Sequence, residues 1–265
     1  MNQVPASMAR IKFPPVGRCI YCNKDTGILT DEHIVPYAIA GNWMILPNSS
    51  CPVCQKETTR SENHCFGQTL KPFREQIGLK SRNRKEKIKS LGLPVSYDKK
   101  TFDLIDFPVE KYPAFLILPH LKSMPTILEA RAAKPCPEID AWGINTQENT
   151  LGQFKGARVG AVPFHAGHWL RMIAKIAHSY AVAQRGLDRF RPLLQKVILG
   201  RDQNFSHYIG AMSPDRPPPD TIMHRIEIGD FATTALPAKR YVCVSLRLFG
   251  KWGSPAYIVA VGESI

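Results

Sequence analysis

The sequence predicts an α+β protein, and three observations carry that prediction. Two Cys-x-x-Cys turns, Cys19-Ile-Tyr-Cys22 and Cys51-Pro-Val-Cys54, bracket a short segment near the N-terminus. A long run, His168–Gln184, repeats apolar residues at helical spacing. A C-terminal stretch alternates apolar and polar residues as strands do. Together they suggest an N-terminal zinc-stapled unit, followed by a mixed α+β domain with a long helix and antiparallel strands.

The elements follow in chain order. Residues 1–17 carry Pro5, Pro14 and Pro15 without periodicity and read as an arm. Residues 18–92 read as the zinc unit with a basic extension. After Cys54, the residues Cys65, Phe66, Leu70, Phe73 and Ile77 recur at steps of three and four, which predicts helix. Pro72 lacks a backbone donor and clashes with the preceding turn, so a break is expected near Leu70. Residues 93–265 read as an accessory α+β domain of open role. Within it, Phe102–Phe107 and Ala114–Leu118 are expected as short strands. Trp169, Ile173, Ile176, Ala177, Tyr180 and Ala183 line one side of the long helix, and Gly186 is a natural stop. A shorter helix is expected over Pro192–Leu199, with proline in its first turn. Ser213–Asp220 is a loop by composition. Arg225–Ile228, Tyr241–Phe249 and Ala256–Val261 alternate, and the last two read as a hairpin turning at Lys251–Pro255.

Composition narrows the function classes. A hydrophobic content of 44% supports a sizeable core. The formal net charge is +13, which suits a partner rich in phosphate. Residues 1–100 hold 16 Lys/Arg against 8 Asp/Glu, so the N-terminal part is the more basic. No apolar run approaches the ~20 residues that a membrane helix needs. The first ten residues lack a hydrophobic signal-like stretch, and membrane association is not expected. Seven cysteines, four of them paired in turns, suit metal binding in a reducing cytoplasm better than a disulfide framework.

The chemistry concentrates in the bracketed segment. Each Cys-x-x-Cys turn presents two sulfurs along one edge of a tetrahedron, and two turns complete a zinc site. Four thiolates leave no open coordination position, so that zinc is structural. Between the turns lies Asp31-Glu-His-Ile-Val-Pro36. A neutral imidazole such as His33 is well matched to take a proton from water near neutral pH. A carboxylate such as Glu32 can hold a hard divalent ion. Neighbours on a regular strand point to opposite faces, so the pair serves one site only at a strand end or through a bridging phosphate.

Cys19 to about Ile77 resembles the HNH endonucleases, the ββα-metal nucleases, in its Asp-Glu-His-Ile-Val-Pro run set between two Cys-x-x-Cys knuckles. The resemblance implies His33 as general base and Glu32 as ligand of a catalytic Mg²⁺ or Mn²⁺. It implies structural zinc on Cys19, Cys22, Cys51 and Cys54, and a bracing role for Asn48. It also implies DNA as the substrate, nicked or cut at phosphodiester bonds. The family commonly has His or Asn directly after the last knuckle cysteine. Here that residue is Gln55, with Glu57, Asn63 and His64 as the other candidates for a second ligand. The alternative is a zinc-dependent nucleic-acid-binding module without catalysis, and a third reading is a protein-docking scaffold. The basic run with Lys80, Arg82, Arg84, Lys85, Lys87 and Lys89 could grip phosphates or be a solvated linker. His168 and His178 are expected as core or interface histidines. Oligomeric state is not legible.

Overall fold

The computed structural model describes residues 9–79, 88–98, 100–129, 138–144, 152–160, 164–213, 215, 217–233 and 237–265. It is an α+β fold, as the sequence pattern suggests, arranged around one long helix.

The N-terminal unit starts from a small sheet. Strands β1 (Ile11–Lys12), β2 (Thr30–His33) and β3 (Met44–Ser50) lie in the order β1-β3-β2. β2 runs antiparallel to β3, with a bulge between Thr30 and Glu32. β1 runs parallel to β3, and Phe13, Val16 and Gly17 continue along it through backbone hydrogen bonds to Ile45, Pro47 and Asn48. The end of the expected arm is therefore a sheet edge. Between β2 and β3, Pro36 precedes a single turn, α1 (Tyr37–Ala40). Helix α2 (Pro52–Glu62) follows, with Cys51 as its N-cap residue and Pro52 in its first turn. Proline suits that position because the first-turn amide needs no helical acceptor.

The next turns are π-helical, Asn63–Thr69, and the Leu70 amide donates to the Cys65 carbonyl at 2.8 Å. Helix α3 (Lys71–Gln76) begins immediately after, so the break expected from Pro72 falls at Leu70. Buried Arg74 reaches back from α3 to the Phe66 and Ala38 carbonyls at 2.6 and 2.8 Å. Cys65, Phe66, Leu70 and Phe73 are all buried, as their spacing implies.

Strands β4 (Ser90–Ser96), β5 (Asp103–Pro108) and the short β8 (Arg158–Val159) form a small sheet with its own apolar cluster. β6 (Ala114–His120) pairs with β7 (Glu138–Ile144). Between them Thr126–Glu129 is the one-turn α4. The long helix is α5 (Ala166–Arg185), and it ends at Gly186 with φ 90°, a conformation glycine adopts without strain. Residues Trp169 to Ala177 are all buried apart from Arg171, so α5 is a core helix rather than a surface one.

A C-terminal sheet backs α5. Strands β11 (His224–Ala232), β12 (Arg240–Leu248) and β13 (Tyr257–Ser264) form an antiparallel meander. β12 and β13 are joined across Gly250–Trp252, the expected hairpin turn. β9 (Phe190–Pro192) and β10 (Ile209–Gly210) each add to β13. The helix expected over Pro192–Leu199 is shorter, Gln195–Ile198, because Pro192 belongs to β9 instead. There it pairs with Gly262, where an added Cβ would sit 2.4 Å from the Phe190 ring and 2.6 Å from the Arg191 carbonyl oxygen.

One apolar core runs from Ile20, Ile34 and Phe66 through Trp169 and Ile176 to Val244 and Val261. The N-terminal unit and the C-terminal sheet pack against α5 within it. No helix of the described residues is long and apolar enough to cross a membrane.

Candidate metal centre

The four knuckle cysteines converge. Their sulfurs all lie within 4.8 Å of one another, and Cys22 Sγ is 3.7 Å from Cys51 Sγ. A tetrahedral zinc with Zn–S bonds of about 2.3 Å has edges of about 3.8 Å, so the spacing fits that ion. The first turn is closed by backbone bonds from Cys19 to Lys24 and from Asn23 to Cys19. The second sits at the start of α2, where the Gln55 amide donates to the Cys51 carbonyl. Cys19, Cys51 and Cys54 are buried, and Cys22 is at the rim. Burial and the crowded sulfurs push the Cys54 thiol far up. Cys51 has the opposite balance: burial raises it, but the Cys54 amide and neighbouring thiols bring it to about 7. A dication neutralises such a cluster better than any arrangement of protons. The four cysteines can therefore hold a zinc ion.

The knuckle is docked on α5 by its own backbone and by Tyr21. His178 Nε2 and the Gln195 amide both donate to the Ile20 carbonyl, at 2.9 and 3.0 Å. Buried Tyr21 shares a hydrogen bond with Ser179 Oγ at 3.0 Å. Burial pushes the His178 imidazole down to about 4, so it is a neutral donor. The core role expected for His178 is the one it has.

Glu32 turns inward from β2. Its carboxylate lies 2.5 Å from Lys175 Nζ, and the same ammonium lies 2.8 Å from Glu62 on α2. Lys175 also donates to the His33 carbonyl. The Lys175 side chain is only 2% exposed. Burial alone would discharge this lysine, but the two carboxylates outweigh it and raise its pKa. The two acids share one cation, so burial and Glu62 push the Glu32 carboxyl up despite Lys175.

The remaining expected residues fall in separate places. His33 ends β2, half-buried, its ring edge-on to Tyr37 at 5.8 Å. Asn48 is exposed with φ 47°, and its amide donates to Asp31 at 3.2 Å. Gln55 lines a cavity with His64 and His168. Among the described residues, the four cysteines are the one group of three or more His, Cys, Asp or Glu side chains placed to share an ion. Glu32, His33, Glu57 and His64 form no such group. Lys80, Arg82, Arg84, Lys85 and Lys87 lie outside the described residues, and Lys89 is exposed just before β4.

Lys175 is the buried charge that pattern reading passes over. The signal was present: Lys175, His178 and Ser179 place three polar groups on one face of the long helix, among its apolar residues. Such a face needs polar partners when buried.

No family model, curated protein or solved structure matches this chain. The fold and site define it as an α+β protein with a four-cysteine cluster able to hold zinc.

Proposed function

We propose that this protein binds nucleic acid through its zinc-stapled strand–strand–helix unit, without metal-dependent cleavage at Glu32. The observation that carries the non-catalytic part is the buried Lys175 ammonium held between Glu32 and Glu62. An ammonium already occupies the space beside the carboxylate that a divalent ion would need. Displacing it would leave a lysine buried without its partners, at a cost of several kcal/mol. The binding part is supported by the net charge of +13 and by the exposed cations Lys56 and Arg60 on α2. Fluorescence anisotropy with a short DNA duplex and an RNA of equal length tests it. Affinity should fall log-linearly with salt, since bound phosphates release counterions. No binding to either at low salt would overturn the reading.

The HNH-type endonuclease remains the second reading. It is favoured by the order β2, β3, α2, with His33 at the end of β2 and the second knuckle opening α2. In that reading His33 takes the proton from water, and Lys175 must first leave Glu32 to a Mg²⁺ or Mn²⁺ ion. Divalent-dependent nicking of DNA that disappears in His33→Ala would establish it.

A further inference from the structure

A cavity of about 510 Å³ opens where α2, the π-helical turn and the start of α5 meet. Gln55, Lys56 and Arg60 face it from α2. Asn63, His64 and Gln68 face it from the π-helical turn, and His168 from α5. Among the described residues, none of those lining it is Asp or Glu. Glu57 engages Arg60 at 3.4 Å but does not line the cavity.

The histidines are close together. The His64 ring lies 4.4 Å from that of His168 and 4.8 Å from that of His165. His168 Nδ1 is 3.2 Å from Ser61 Oγ. His64 Nε2 is buried and has no hydrogen-bond partner among the described residues. Burial, then the neighbouring His165, holds the His64 imidazole down; burial, His64 and Arg171 do the same to His168. The leading cause in both is burial, and neighbouring positive charge adds to it.

A site of this kind attracts an anion. It disfavours a metal ion on two grounds. Lys56, Arg60 and Arg171 would repel a cation, and the three imidazoles are not among the groups placed to share one. Guanidinium, ammonium, amide and imidazole donors converging on one cavity match the acceptor oxygens of a phosphate. A π-helical turn is also a frequent builder of functional sites, because its wider coil re-aims side chains.

We propose that this cavity binds one phosphate group, gripped by Lys56 and Arg60 and hydrogen-bonded by Gln55, Asn63, His64 and His168. The proposal rests on the nucleic-acid reading, which makes that phosphate part of a polynucleotide. It is either an internal phosphodiester or a terminal monoester.

Two-dimensional NMR of the histidine rings in the full, zinc-loaded chain tests this. Titration with inorganic phosphate should move the His64 and His168 signals saturably, while chloride at matched ionic strength leaves them in place. Arg60→Ala should weaken phosphate binding about tenfold without changing the fold, because Arg60 is exposed and makes only a surface pair. Oligonucleotides with and without a 5′ phosphate separate the sources: a preference for the phosphorylated one marks a terminal group, and equal binding an internal one. Signals that ignore phosphate, or follow chloride equally, would overturn the proposal even if DNA binds elsewhere. A second zinc equivalent per chain that vanishes in His64→Gln would overturn it in favour of a metal site. Phosphate binding without oligonucleotide binding would uphold the cavity and remove the nucleic-acid reading.

Discussion

The N-terminal unit and the C-terminal sheet share one core but are held by different forces. The sheet uses strands of nine, nine and eight residues and buries Val242, Val244, Leu246, Val259 and Val261. Its stability is ordinary apolar burial, worth about 25 cal/mol per Å². The N-terminal sheet has shorter strands, of two, four and seven residues. It relies on four thiols, a buried ammonium between two carboxylates, and hydrogen bonds from α5 to the knuckle. The sheet is therefore expected to be the more robust platform, and the N-terminal unit the part that responds to metal and protonation.

That contrast can be broken at several points. Zinc removal, or Cys51→Ser, should have the largest effect. Metal binding at such sites is folding energy, about 10 kcal/mol in small zinc units. Hydrogen exchange should show β2, β3 and α2 losing protection first, with β12 and β13 retaining most of theirs. Equal loss in both regions would erase the contrast.

Lys175→Met should come next. It leaves the buried Glu32 and the half-buried Glu62 without their shared cation and should cost about 3–5 kcal/mol in urea unfolding. Adding Glu32→Gln and Glu62→Gln should recover much of that loss, which a purely steric role for Lys175 would not allow.

Acidification should follow. Burial lowers both His178 and His224 to about 4 in the folded state. The unfolded chain takes up their protons near pH 6.5, so stability is full above that pH and is lost as pH falls toward 4. Each group accounts for about 3 kcal/mol by the end of that window. Glu32 runs the other way. Its raised pKa favours the protonated folded state, so it adds stability at low pH that is lost as pH rises through its folded value. Stability curves of His178→Gln and Glu32→Gln should flatten in their respective windows.

Arg18→Ala should have the smallest effect. Arg18 pairs with Asp188 at the surface, where solvent screens the charge, and the unfolding midpoint should not move measurably.

Much of this was legible in the sequence, and the failures share a cause. The knuckles, the α5 periodicity, the C-terminal alternation and the break before Pro72 are local signals, and each is realised. The fate of Glu32 is not local. Its partner is Lys175, more than a hundred residues away, and an Asp-Glu-His run reads the same whether a metal or an ammonium waits beside it. The meeting of His64 with His168 likewise depends on α2 packing against α5. Pro192 misled for a simpler reason. A proline that can open a helix can equally end a short strand, and the pairing with Gly262 decided between them.

The central claim is that the zinc-stapled unit binds nucleic acid while Lys175 keeps Glu32 from a catalytic ion. Supercoiled plasmid incubated with the full chain in Mg²⁺, Mn²⁺ or EDTA, scored for both mobility shift and nicking, tests it directly. The account predicts a salt-sensitive shift under all three conditions and no nicking by wild type. Nicking that needs a divalent ion and is lost in His33→Ala would contradict it.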